Sequence, residues 1–133
     1  MNTEIRHSST LIQKTAAIIA LIIGIMSVFA GSRVLLGIDT KDYNVLSWLV
    51  SYNVVFGSIS IVIAALIWRN STYKEHLTLF VLAMHVLVLL YLKFISLTAA
   101  SESIKAMIFR VSVWIVIVVL SILIPKYITK QKR

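Results

Sequence analysis

A chain of 133 residues that is 59% hydrophobic and 14% charged, with a mean hydropathy of +0.95, is too apolar for a soluble domain, whose apolar share is about 45–50%. Its formal charge of +8 would point to nucleic acid in a soluble protein, but here the basic residues flank apolar runs, so topology and anionic lipid explain the charge and no nucleic-acid partner is expected. The chain holds no cysteine, which excludes dithiol redox relays, thiolate nucleophiles and Cys-ligated metals.

About 20 apolar residues, at about 1.5 Å rise each, cross a bilayer core about 30 Å thick. Four runs approach or meet that length, at 11–32, 48–68, 77–98 and 107–125. They predict one all-α domain over 1–133, a transmembrane four-helix bundle in up-down-up-down order. In the first run Ala17, Ala20, Gly24, Ser27 and Gly31 recur at steps of three and four, a stripe of small residues that lets another backbone approach closely. Val28-Phe29-Ala30 before Gly31 resembles a signal-peptidase site, yet the polar lead-in is long and hydrophobicity continues through Ile38, so an uncut span is expected.

The connection to the second run carries Asp39, Lys41, Asp42 and Tyr43. Trp48 and Trp68 bracket the second run at its two interfaces, where an apolar ring meets a polar edge. Asn53, Gly57, Ser60 and Ala64 form a second small stripe, so spans one and two are expected to pack as an antiparallel pair. Residues 69–76 form a short polar hairpin to the third run, and Pro125 closes the fourth before a tail with Lys126, Lys130, Lys132 and Arg133. With four spans, both termini and the 69–76 hairpin share one side, which holds eight basic residues against four or five opposite. The excess puts the termini in the cytoplasm.

Polar residues within the apolar runs define the candidate site. Lys93 and Arg110 lie short distances inside the outer ends of spans three and four, Asn53 at a depth like that of Lys93, and Arg33 closes span one on the same side. Above them lies a rim of Asp39, Asp42 and Glu102. Long cationic side chains can snorkel to the interface and pair with such acids. Alternatively, the layer is an outward-facing basic pocket for a lipid headgroup or small acid. His85 sits near the middle of span three, too deep to reach either interface. A buried imidazole needs partners for both ring nitrogens, which a Ser, Asn or Tyr of a neighbouring span can supply. A proton relay, a haem ligand or a quinone hydrogen bond are the functional readings.

No Asp or Glu lies within a run, which argues against a proton-coupled exporter built on an intramembrane carboxylate. There is no second deep histidine for bis-imidazole haem, no Walker loop, no G-x-S-x-G and no metal-spaced His/Asp/Glu set. Catalysis is therefore the least supported class, and no cofactor is expected.

Gly31-Ser32-Arg33-Val34-Leu35-Leu36-Gly37, the stretch from Tyr43 to Val54, His85 and Phe109-Arg110…Trp114 resemble small four-span bacterial membrane proteins without assigned activity, and the layout resembles the broad DoxX-like class. The resemblance implies the architecture and a bacterial inner membrane, and transfers no site residue. The expected function is non-enzymatic: binding of a lipid-like or small anionic ligand, or of a partner helix, with membrane lipids and a further membrane protein or second copy as partners. The alternatives are a redox-associated component using His85 for quinone or haem, and a holin-like pore.

Overall fold

In the computed structural model, which describes residues 2–131, the chain is an all-α four-helix bundle. Helix α1 spans Asn2–Leu35 and α2 Ser47–Trp68. Helix α3 spans Lys74–Leu90 and continues through a wide π-turn at Tyr91–Ile95. Helix α4 spans Ser101–Val118 and passes through a second π-turn, Val119–Leu123, into α5 at Ile124–Gln131. Four continuous helical stretches, Arg6–Leu35, Ser47–Trp68, Lys74–Ile95 and Ser101–Gln131, are long and apolar enough to cross a membrane. Lys132 and Arg133 of the basic tail lie outside the described residues.

Two boundaries differ from the hydropathy reading. Helix α1 begins nine residues before the apolar run, because extending an existing helix adds one hydrogen bond per residue fixed whatever the side chain's polarity. The third span ends at Ile95 rather than 98, where Ser96 turns to extended geometry and its N–H bonds back five residues to the Tyr91 carbonyl at 2.8 Å. The freed segment is tied down by Asn44 Nδ2, which donates to the Thr98 carbonyl at 2.8 Å and joins the two loops of that face.

Local chemistry explains the other ends. Gly37, at φ 73°, stops α1 in a Schellman turn: Ile38 N–H reaches the Arg33 carbonyl at 2.9 Å and Gly37 N–H that of Val34 at 3.1 Å. Asn70, at φ 55°, repeats the device after α2, with Ser71 N–H on the Leu66 carbonyl at 2.9 Å. Pro125 does not end the fourth span. It lacks the N–H that would bond to the Ser121 carbonyl, and the π-turn just before it, in which Ile124 N–H bonds to the Val119 carbonyl, carries the helix past the missing bond.

The helices pack in ring order, each against its chain neighbours and α1 against α4. The α1–α2 seam is built from the two small stripes. A Cβ placed on Gly24 would stand 2.8 Å from the Gly57 carbonyl oxygen, and one on Gly57 2.9 Å from that of Gly24, so the backbones touch directly. The α2–α3 seam is filled by rings instead: Trp48 meets Tyr91 edge-on at 5.6 Å, and Phe56 lies parallel to Phe80 at 6.4 Å.

The interior falls into two apolar clusters. One, around Ala16, Ala20, Ile63, Val81, Trp114 and Ile117, fills the half nearer the termini, and the other, around Leu49, Val88, Leu92 and Met107, fills the half nearer the 36–46 loop. Between them lies a polar layer, and it holds the candidate site.

Candidate functional site

Each of the four spans contributes to that layer. Ser27 comes from α1, Asn53 and Tyr52 from α2, His85 from α3 and Arg110 from α4. Arg110 stands nine residues into α4, about 13 Å along its axis. It is half-buried and turns inward, its Nη2 donating to Ser27 Oγ at 3.2 Å. Neither Asp39, Asp42 nor Glu102 comes within ion-pair distance of it: among the described residues the only ion pairs are Arg33–Asp39 and Lys126–Glu75.

Three openings meet at this guanidinium. A vestibule of 190 Å³ descends from the loop face past Lys41, Tyr43 and Glu102 to Asn53 and Arg110. A groove of 360 Å³ runs between α1 and α4, walled by Ile19, Ile22, Met26, Phe109 and Val113, with Ser27 and Arg110 at its edge. Behind the guanidinium a cavity of 10 Å³, the space of about one water molecule, is lined by Ser27, Asn53, Ser60, His85 and Arg110. Asn53 lines both this cavity and the vestibule, and its Oδ1 is buried with no hydrogen-bond partner among the described residues.

His85 is 3% exposed and faces the interior. Its partner is the Tyr52 hydroxyl, 2.6 Å from Nδ1. Rings enclose the imidazole, with centroids at 5.6 Å for Tyr52, 5.7 Å for Phe56 and 6.0 Å for Trp114. Ser27, Asn53, Gly57 and Ser60 line the small cavity beside the imidazole and do not bond to Nδ1. Sequence reasoning allowed a Ser, Asn or Tyr of a neighbouring span here but did not single out Tyr52. Its signal was the helical spacing to Phe56, on which it stacks at 4.3 Å, together with the need of any buried imidazole for a partner.

Of the expected cationic layer, the structure brings Arg110 and Asn53 together and leaves two members out. Lys93 is exposed on the outer surface of the third span, its ammonium 5.6 Å from the Phe94 ring. The neighbouring Leu92 holds the inward position, and one helical step rotates the side chain by about 100°. Arg33 is occupied locally across the Gly37 turn: Nε and Nη2 bind the two Asp39 carboxylate oxygens at 3.0 and 2.8 Å. That fork holds the Asp39 carboxyl below the usual carboxylate range. Of the rim acids, Asp39 thus pairs with Arg33, Glu102 lines the vestibule and Asp42 is exposed.

The described residues hold no cluster of three His, Cys, Asp or Glu suited to a metal ion. What the arrangement offers is a fixed positive charge at the meeting point of a polar well and an apolar groove, a geometry suited to holding an anion that carries an apolar chain. Comparison with protein-family models, curated proteins and solved structures returns no match to this chain.

Proposed function

We propose that the chain is a multi-pass protein of a bacterial inner membrane that binds an anionic amphiphile, the head group on Arg110 and the apolar chain along the α1–α4 groove. One observation carries the reading: a half-buried guanidinium, with no carboxylate of the described residues in reach, opens at once to the vestibule and to the groove. A cation below the membrane surface is costly unless paired or solvated, and a bound anion supplies the missing partner. The enclosure of His85 by Tyr52, Phe56 and Trp114, beside a cavity narrower than a quinone ring or a porphyrin, supports a structural role for the imidazole as the floor of this site.

The test is native mass spectrometry of the full chain released from mild detergent after incubation with oleate. Arg110→Gln should lower oleate retention about tenfold, the effect of losing one charge-assisted pair. Arg33→Gln and Lys93→Gln should retain it as wild type does. Equal retention in wild type and Arg110→Gln would remove the proposal.

The proposed orientation places both termini in the cytoplasm, on the strength of the basic excess on that side. Reporter fusions after Lys41 should read as extracytoplasmic and those after Lys130 as cytoplasmic. A cytoplasmic signal after Lys41 would invert the assignment.

A further inference from the structure

The opposite end of the bundle holds another cavity with charged residues in its lining, separate from Arg110. It measures 340 Å³ and opens between the first turn of α3 and the α4–α5 junction, lined by Lys74, Glu75, Ser121, Lys126 and Lys130, with Ile122 and Pro125 as an apolar wall. Ser121 lies eleven residues beyond Arg110, about 16 Å along the helix. Three ammonium groups face one carboxylate. Glu75 is already engaged by Lys126, and Lys74 Nζ donates to Asn70 Oδ1 at 2.6 Å. Lys130 lines the cavity and makes no ion pair among the described residues.

Two features show that the cavity has donors to spare. Ser121 is 1% exposed, and its Oγ has no hydrogen-bond partner among the described residues. Ser58, Ser60 and Ser112 all satisfy their hydroxyls on the carbonyl four residues back, at 3.0, 2.6 and 2.9 Å. Ser121 stands in the π-turn before Pro125 and makes no such bond, which leaves a buried hydroxyl free beside the lysines. The second feature is α3 itself, a 17-residue helix that starts at the cavity and whose N-cap residue, Tyr73, provides no side-chain cap. The Lys74 N–H is taken by the Ser71 carbonyl at 3.3 Å and Glu75 sits in the first turn, and the positive end of the helix dipole favours a further anion there.

We propose that this cavity binds the phosphate group of a phosphate ester. Lys126 and Lys130 supply the charge, the Ser121 hydroxyl donates from the floor, and the α3 N-terminus faces the third side. Donors converging from separate directions match a tetrahedral phosphate better than a planar carboxylate. Lys126 is the first charge after the last apolar turn, which is headgroup depth, and the Ile122–Pro125 wall suits the start of a lipid's apolar part. A soluble phosphate ester would reach the same donors from the aqueous side.

The experiment uses the full-length Arg110→Gln protein as background, so that the outer site cannot contribute and its failure is read separately. Two arms are measured by native mass spectrometry: retention of phosphatidylglycerol from nanodiscs, against phosphatidylcholine nanodiscs, and displacement of that lipid by inorganic phosphate in detergent. In the background, phosphatidylglycerol should be retained. Adding Lys126→Gln and Lys130→Gln together should weaken retention tenfold or more, and adding Ser121→Ala should weaken it about threefold to tenfold. Lys130→Gln alone, which breaks no ion pair, guards against a folding defect and should fall between background and double variant. Displacement by millimolar phosphate assigns a soluble source, and retention in its presence a lipid headgroup. Retention that ignores both the lysines and Ser121, or absence of binding in either arm, overturns the site.

Discussion

Gly57→Leu should lower the thermal midpoint of the detergent-solubilised protein by roughly 10 °C or more, corresponding to about 3 kcal/mol for a chain of this size. The new Cβ would lie 2.9 Å from the Gly24 carbonyl oxygen, 2.9 Å from Ser27 Cβ and 3.0 Å from Val28 Cγ2, before any of the leucine's outer carbons are placed. Side chains can rotate away from such a clash, but a helix backbone can only translate, and translating α1 opens the whole seam. Lipid entering the gap cannot compensate, since its tails are no more apolar than the helix faces they would separate and association here depends on close packing. The displacement would also carry Ser27 away from Arg110, so oleate retention should fall with stability. Ser58→Leu, one position on and exposed, is the control and should melt as wild type does. A wild-type midpoint for Gly57→Leu would mean that the two stripes do not meet.

The seam was legible because it depends on one variable, residue size, repeated at helical spacing on two consecutive runs. The spans were legible for a similar reason: length and hydropathy alone decide them. The polar layer was legible in depth but not in direction. Arg110, Asn53, Lys93 and Arg33 are all cations or amides near the same ends of their runs, yet only the first two face a common space. Which way each points depends on the rotation of its helix, and that is set by packing partners elsewhere in the sequence. Lys93 is turned outward by Leu92, which occupies the inward position. Arg33 depended on a single local event, the left-handed turn at Gly37 that folds Asp39 back onto it. Tyr52 was not singled out because hydropathy does not say which Ser, Asn or Tyr of a neighbouring span meets His85, and helix rotation decides that. The cavity lined by Ser121, Lys126 and Lys130 was not legible at all: it lies beside the π-turn that precedes Pro125, and neither the turn nor the unpartnered Ser121 hydroxyl has a signature in hydropathy.

Trp114→Ala should cost about as much as the glycine substitution, for the opposite reason. Trp114 is 1% exposed and packs within the apolar cluster of Ala16, Ala17, Ala20, Ile63, Val81 and Ile117, with its ring edge against His85. In a soluble protein the loss would include transfer of the ring from core to water. Here the reference surroundings are lipid, so that contribution largely vanishes and the unfilled space remains. Removing roughly 140 Å³ at about 24 cal/mol per Å³ gives about 3 kcal/mol if the walls hold their positions. They are constrained to hold: the alanines facing Trp114 have no side chain to extend into the gap, and α1 is fixed to α2 by the glycine contact. The space would open beside His85 and join the 10 Å³ cavity that Trp114 also lines. Trp114→Ala should therefore both lower the melting midpoint and admit water to the floor of the Arg110 site, whereas Trp114→Phe, which keeps a ring against the alanines, should recover more than half of the midpoint. The measurement is thermal unfolding followed by size-exclusion chromatography, with Tyr52→Phe as comparison. That variant creates no large void and should cost about 1–3 kcal/mol through the imidazole nitrogen it leaves unpaired. A larger loss for Tyr52→Phe than for Trp114→Ala would show that hydrogen bonding, and not packing, holds the centre of this bundle.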